Sequence, residues 1–242
     1  MTRLVLCRHG EAEEAQGRFC GALDVSLSAA GHRQAEALAT ALPSLGAVAV
    51  YTSPARRAVD TSEPIAAQLG VAPVVEPDFR ELDFGEAEGL RFEEAAARWP
   101  TLYDEWLQAP TRVCFPGGEE FAGFRARVLA AAACAVERHA GAAVAVVTHA
   151  GVIRTLLAHW LAMPDEALFR IDQAHGSVNV VDWQDGTPLV RLVNGSPASL
   201  AGTHEPSLLD ESRQRAAVAQ KACASSRVSS ARSGVSRQSR ER

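Results

Sequence analysis

Leu4-Val5-Leu6-Cys7-Arg8-His9-Gly10 is a short apolar run that delivers an arginine, a histidine and a glycine at its end. The run reads as a buried strand, and open α/β sheets bind their ligands at the carboxyl ends of strands. An Arg-His pair in such a crevice suits a phosphoryl group, because guanidinium grips planar oxyanions bidentately. A second run repeats the order. Val144-Ala145-Val146-Val147 leads into Thr148-His149-Ala150-Gly151 and then into Val152-Ile153-Arg154-Thr155-Leu156-Leu157, which has helical spacing. Two histidines at two strand ends can face one crevice.

Two further stations follow from the same reading. Val48-Ala49-Val50-Tyr51 passes into Thr52-Ser53-Pro54 and a helical stretch from Ala55 to Leu69. Ser53 is a suitable N-cap and Pro54 suits the first helical position, which places Arg57 in the first turn, where anions are favoured. Arg80-Glu81-Leu82-Asp83-Phe84-Gly85 reads as a loop after the strand candidate Pro73–Val75.

With these stations in order, the chain resembles the histidine phosphatase superfamily, which includes the cofactor-dependent phosphoglycerate mutases. Arg8-His9-Gly10-Glu11 matches the family signature, and Ser53-Pro54-Ala55-Arg56-Arg57-Ala58 with Thr61 matches its second segment. Glu81 to Gly85 with Glu88-Gly89 matches the acid-bearing loop, and Thr148 to Arg154 matches the last motif. The likeness spans residues 2–194. Phe115-Pro116-Gly117-Gly118-Glu119 and the wording of the last motif resemble the α-ribazole phosphatases in particular. The resemblance implies an α/β three-layer sandwich whose central sheet is mostly parallel with helices on both faces. It also implies phosphate contacts from Arg18, Gly21 and Ala150 beside those of Arg8, Arg57 and His149. Three positions depart from the family pattern: Ala15 stands where an asparagine is usual, Cys20 where glutamine or threonine is common, and Ala87 where tryptophan is frequent.

The chemistry can also be read from the residues themselves. A phosphomonoester is close to a dianion at neutral pH, so fixed positive charge is needed where its oxygens sit. Arg8 and Arg57 supply it, and His149 is expected to add an N–H donor. His9 is the expected nucleophile, forming a phosphohistidine that splits one displacement into two. An unperturbed imidazole has a pKa of about 6.5, and neighbouring arginines should keep His9 unprotonated. A bond from its other ring nitrogen to a backbone carbonyl near Gly10 would fix the tautomer. Glu81, partly desolvated beside a phosphate, is the expected general acid for the leaving oxygen and then the base for water. Asp83 is the runner-up for that role, and a surface ion pair of Glu81 with Arg80 or Arg91 is the plainer alternative. Glu11 is expected to pair with a site arginine, Arg154 to brace the fold, and His175 to serve as a turn residue before the strand Val178–Trp183, with a place lining the crevice as the alternative.

No zinc, calcium or nucleotide fingerprint occurs, and the key histidines lie beside arginines, so neither a metal nor a cofactor is expected. The expected activity is hydrolysis of a small phosphorylated metabolite, with α-ribazole 5'-phosphate a candidate. A mutase-type phosphoryl transferase and a catalytically silent phosphate-binding module are the alternatives.

At 242 residues with 47% hydrophobic content, the chain can bury one substantial core. Five cysteines without metal spacing suggest reduced thiols and a cytoplasmic location, and no apolar stretch reaches membrane-spanning length. A homodimer is compatible with such a domain. Residues 201–242 carry a net +4 against −9 for residues 1–200. The domain is therefore expected to occupy residues 1–197, followed by a disordered basic tail over 198–242. Scattered basic residues without aromatic interleaving make nucleic acid an unlikely partner. Helices are expected over Ser28–Leu42, Ala55–Leu69, Phe121–His139 and Val152–Ala162. Closing strands Val178–Trp183 and Leu189–Val193 would meet at an Asp185-Gly186 turn. Residues 90–116, with Trp99, Tyr103, Trp106 and Phe115, are expected to form a helical lid over the crevice, its aromatics mainly core.

Overall fold

The computed structural model describes residues 1–13 and 15–202. Six strands form one sheet: β1 (Thr2–Arg8), β2 (Ala47–Thr52), β3 (Val74–Val75), β4 (Ala143–Thr148), β5 (Val178–Gln184) and β6 (Thr187–Gly195), in the order β3-β2-β4-β1-β5-β6. The β1–β4, β2–β4 and β2–β3 pairings are parallel, and β5 and β6 close the sheet antiparallel. The mixed but mainly parallel sheet agrees with the α/β expectation.

Strand alternation explains the layers. On β1, Leu4 and Leu6 enter one core with α5 (Phe121–Arg138) and α6 (Ala150–Trp160). Val5 and Cys7 point the other way, into a core with α1 (Ala29–Ala41) and α2 (Arg56–Leu69). Period-two alternation thus gives a single strand two apolar faces, as a sheet covered on both sides requires. Cys7 is fully buried, and burial pushes its thiol up to about 12; it is packing, not chemistry. Ser28 caps α1 through its hydroxyl, which accepts from Gly31 N. Asp185 and Gly186 both take positive φ, 50° and 80°, the two-residue hairpin geometry the sequence foretold.

Residues 90–116 supply α3 (Phe92–Arg98) and α4 (Pro100–Gln108), built on a satellite core. Phe19 is its centre, with ring centroids 5.0 Å from Phe84, Trp106 and Phe115. The satellite is stitched to the signature loop by Phe19 N to Leu90 O (3.0 Å) and Phe92 N to Gly17 O (3.0 Å).

Several boundaries shift from expectation by one or two residues: α6 runs Ala150–Trp160 where Val152–Ala162 was expected, and β6 runs Thr187–Gly195, beyond Leu189–Val193 at both ends. The helix after β2 begins at Arg56, not Ala55, and Ser53 does not cap it. At the other end, Pro197–Gly202 form a short 3-10 turn whose Leu200 is buried in the second core, so the folded unit runs past 197. The rest of the expected tail, 203–242, lies outside the described residues.

Candidate active site

Register builds the centre of the site. Because β1 pairs with β4 so that Arg8 lies opposite Thr148, the next residue of each strand, His9 and His149, emerges beside the other. Their ring centroids are 5.1 Å apart. Both are buried, as is Arg57, which is 1% exposed.

His9 is oriented by its own chain. Nδ1 lies 2.7 Å from Gly10 O, and a carbonyl can only accept, so Nδ1 carries the proton and Nε2 keeps its lone pair. Burial, then Arg57 and Arg8, hold this imidazole well below its ordinary range, so it stays neutral. Gly10 N in turn donates to Thr61 Oγ1 (3.0 Å), whose hydroxyl donates to Arg57 O (2.7 Å). One hydroxyl thereby ties the loop that carries His9 to the helix that carries Arg57.

Arg57 is gripped by carbonyls: Nη1 donates to Leu23 O (2.6 Å), and Nη2 to Gly21 O (2.9 Å) and Cys20 O (3.3 Å). The 20–23 loop is shaped by Glu88, whose carboxylate accepts from the backbone N–H groups of Gly21, Ala22, Leu23 and Phe84. Gly21, read from sequence as a phosphate contact, therefore acts through its carbonyl on Arg57. A Cβ there would collide with Leu82 O, which is why the loop needs glycine at this point.

His149 differs from its expected role. Arg57 Nη2 donates to its Nδ1 (3.2 Å), so Nε2 holds the proton and donates to Ser53 Oγ (2.7 Å). With both nitrogens engaged, His149 backs Arg57 instead of presenting an N–H to the cavity. Burial and Arg57 keep it neutral, lowering its pKa well below the usual value. By sequence Ser53 suits a helix cap, but its hydroxyl accepts from Ala55 N only at 3.3 Å and serves His149 more closely.

The carboxylate of the site comes from the loop after β3. Glu81 Oε1 accepts from Leu82 N (2.9 Å) and Oε2 from Gly151 N (2.8 Å), which seats the carboxylate on the amino end of α6. Gly151 permits this approach, since a Cβ would strike the Glu81 carboxylate. The Glu81 backbone is clamped by Arg127, which donates to Asp78 O (2.7 Å), Arg80 O (2.8 Å) and Glu81 O (3.1 Å) while pairing bidentately with Glu119. Asp83, the alternative acid, accepts from Gly85 N instead (2.8 Å) and does not line the cavity.

One cavity of about 350 Å³ joins these groups. Arg8, His9, Arg18, Arg57, Glu81 and Ala150 line it, as expected from sequence. Away from the charged end its wall is apolar, with Phe84, Phe92, Trp106, Phe121 and Phe169 prominent. Phe92 and Trp106 thus belong both to the satellite core and to the cavity. Arg18 donates to Gly89 O (2.7 Å). Gln16 stands on the wall next to Ala15, a side-chain amide one position beyond the missing asparagine. Among the described residues Glu11 pairs with no arginine: it accepts from Ser28 Oγ (2.7 Å) at the start of α1. Arg154 and His175 both line the cavity, the second as its alternative reading had it, and Arg154 Nε also braces the chain by donating to Ile171 O (2.7 Å). Among the described residues, no three His, Cys, Asp or Glu side chains gather to hold a metal ion, and no helix is long and apolar enough to cross a membrane.

Comparison with known proteins extends the picture. The model of the histidine phosphatase superfamily (branch 1) matches residues 4–196. A bifunctional protein of Mycobacterium tuberculosis is 39% identical over 196 residues, covering 80% of this chain and 54% of its own. The chain thus spans about half the length of that curated relative. A metal-independent phosphoserine phosphatase of Arabidopsis thaliana is 35% identical, over 76% of this chain and 78% of its own. Among solved structures, the alpha-ribazole phosphatase from Shigella flexneri superposes with a TM-score of 0.73 at 26% identity, covering 80% of this chain and 96% of that one.

Proposed function

The chain belongs to the histidine phosphatase superfamily, and on that premise we propose that it is a metal-independent phosphomonoesterase working through a phosphohistidine on His9. The observation that carries this reading is the bond from His9 Nδ1 to Gly10 O, which leaves Nε2 as a neutral nucleophile among guanidinium groups. The Nε2 lone pair attacks phosphorus, the P–O ester bond breaks, and the leaving oxygen takes the proton held on the Glu81 carboxyl. Glu81, now ionised, then accepts a proton from water as that water attacks phosphorus. The P–N bond breaks, and inorganic phosphate leaves. Arg8 and Arg57 carry the charge that spreads over the non-bridging oxygens.

The substrate we propose is a small monoester whose leaving alcohol carries a planar, largely apolar ring, of which α-ribazole 5'-phosphate, with its base on the ribose, is the example. The aromatic wall beyond Glu81 supports it, as does likeness to a solved alpha-ribazole phosphatase. Among the described residues the thiols of Cys7, Cys20, Cys114 and Cys134 are unpaired, which supports a reducing compartment, the cytoplasm.

The test is phosphate release by the full chain with EDTA present, first from p-nitrophenyl phosphate, then from α-ribazole 5'-phosphate and phosphoserine. The reading expects hydrolysis of the first and a higher kcat/KM for α-ribazole 5'-phosphate than for phosphoserine. Isomer formation from a phosphoglycerate without phosphate release would mark a mutase, and no turnover at all would mark a binding module.

A further inference from the structure

Arg8 is held on one side of its guanidinium by the turn that precedes β5. Nη1 donates to Gln173 O (2.5 Å) and Nη2 lies 2.8 Å from His175 Nε2, while its buried Nε has no partner among the described residues. This turn is not a loose neighbour. Arg8 N donates to Ser177 O (3.0 Å) and Gly176 N to His9 O (3.2 Å), so it is laced to the same two residues whose side chains it flanks. Gln173 is fixed from behind by Asn179, through Gln173 Nε2 to Asn179 Oδ1 (2.9 Å) and Asn179 Nδ2 to Gln173 Oε1 (2.8 Å).

Guanidinium has no acceptor, so the contact with Arg8 exists only if His175 Nε2 offers a lone pair and the ring proton resides on Nδ1. We propose that His175 is a positioning residue for Arg8: its Nε2 accepts from the guanidinium and, with Gln173 O, aims the remaining N–H groups at the transferring phosphate. This inference rests on the phosphatase reading for its purpose, but it concerns a residue that none of the four motifs contains. The acceptor form is the one the site favours, since burial and then Arg8 push the His175 pKa down to about 4, with Glu11 opposing. His175 is no second nucleophile. Its ring centroid is 5.6 Å from that of His9, but the nitrogen that would attack is occupied by Arg8. Nor is the histidine needed for the turn itself, because the positive φ of 67° falls on Gly176.

The experiment uses the full chain as wild type, His175→Gln and His175→Leu. Long-range 1H–15N spectra of the wild type at pH 7 should show His175 neutral, with the proton on Nδ1. Calorimetric titration with inorganic phosphate should find affinity about tenfold weaker in His175→Leu, the size of one lost charge-assisted hydrogen bond, and within about threefold of wild type in His175→Gln, whose amide oxygen can accept. The kcat/KM for p-nitrophenyl phosphate should follow the same order. A proton on Nε2, unchanged affinity in His175→Leu, or equal losses in the two variants would overturn the proposal. If wild type turns over no phosphomonoester while the spectra and the binding series come out as stated, the phosphatase reading fails and the positioning of Arg8 by His175 stands.

Discussion

His9, His149 and Arg57 stand on the ends of three parallel strands, or on the helix turn just after one, and the sheet register itself sets them side by side. Glu81, across the same cavity, hangs on a segment with no strand or α-helix of its own, between two short 3-10 turns at Pro77–Phe79 and Gly85–Ala87. What fixes it is a set of contacts from far along the chain: Gly151 N under its carboxylate, and the Arg127–Glu119 pair behind its backbone. The phosphate side is rigid because its backbone is rigid. The acid side is only as rigid as a few side-chain bonds. Mutation should therefore act differently on the two sides, destroying chemistry on one and loosening geometry on the other.

The largest effect should come from the strand-end side. His9→Ala should lower kcat on the order of 10⁴-fold or more in a phosphate-release assay while the protein remains folded. Glu81→Ala should cost about 10²–10⁴-fold, the usual range for a lost general acid, with inhibition by inorganic phosphate little changed. Comparable losses in both phosphate affinity and turnover would show that the two sides are not separable. Gly151→Ala tests the acid side without touching an ionisable group. Its Cβ must displace the Glu81 carboxylate, so kcat should fall by about 10²-fold, the cost of roughly 1 Å of misplacement, again at near-constant phosphate inhibition.

Arg127→Leu should show the smaller, mechanical version of the same loss. It leaves Glu119 without its bidentate partner and three carbonyls of the acid segment without a donor. Denaturant unfolding should show a loss of about 3 kcal/mol, and turnover should fall by less than in Gly151→Ala. Equal activity to wild type would mean that the Glu81 segment holds itself.

The gentlest probe is pH. His9, His149 and His175 are all depressed in the folded state, so the unfolded chain binds protons that the native chain refuses. Stability contributed by this difference is fully present above the unfolded imidazole value of about 6.5 and is lost as pH falls below it. For His175 the loss is complete near pH 4, where its folded form also protonates. His9→Ala and His175→Gln should each flatten the decline in Tm between pH 6.5 and 4. A wild-type Tm that is level across that window would contradict the depressed imidazoles.

The same contrast explains what could be read from sequence. A strand, a histidine and a glycine lie in order at Leu4–Gly10 and at Val144–Gly151, the second followed at once by a helix, so both histidines and the sheet were legible from local order. The close pairing of His9 and His149 needed only that β1 and β4 be neighbours. The bond that His175 makes was not legible, because its partner Arg8 lies 167 positions away and a histidine before a glycine suits an ordinary turn as well as a crevice wall. Arg127 hid for the same reason, on a helix face that reads as solvated. Ser53 and Glu11 were seen and given the wrong partners. A serine before a proline suits a helix cap, but the nearby His149 claims its hydroxyl, and Glu11 serves Ser28 instead of an arginine. Local pattern names such groups; only the tertiary neighbours decide which bond each one makes.

Covalent transfer to His9 is the step on which hydrolysis turns. Full-length protein mixed with 32P-labelled p-nitrophenyl phosphate in the presence of EDTA, and quenched in base within the first turnovers, should carry label that is acid-labile, stable to alkali and located on His9. Glu81→Ala, slowed in the water step, should still be labelled, and His9→Ala should not. Steady hydrolysis by the wild type with no label on His9, or hydrolysis that stops when divalent ions are removed, would contradict it.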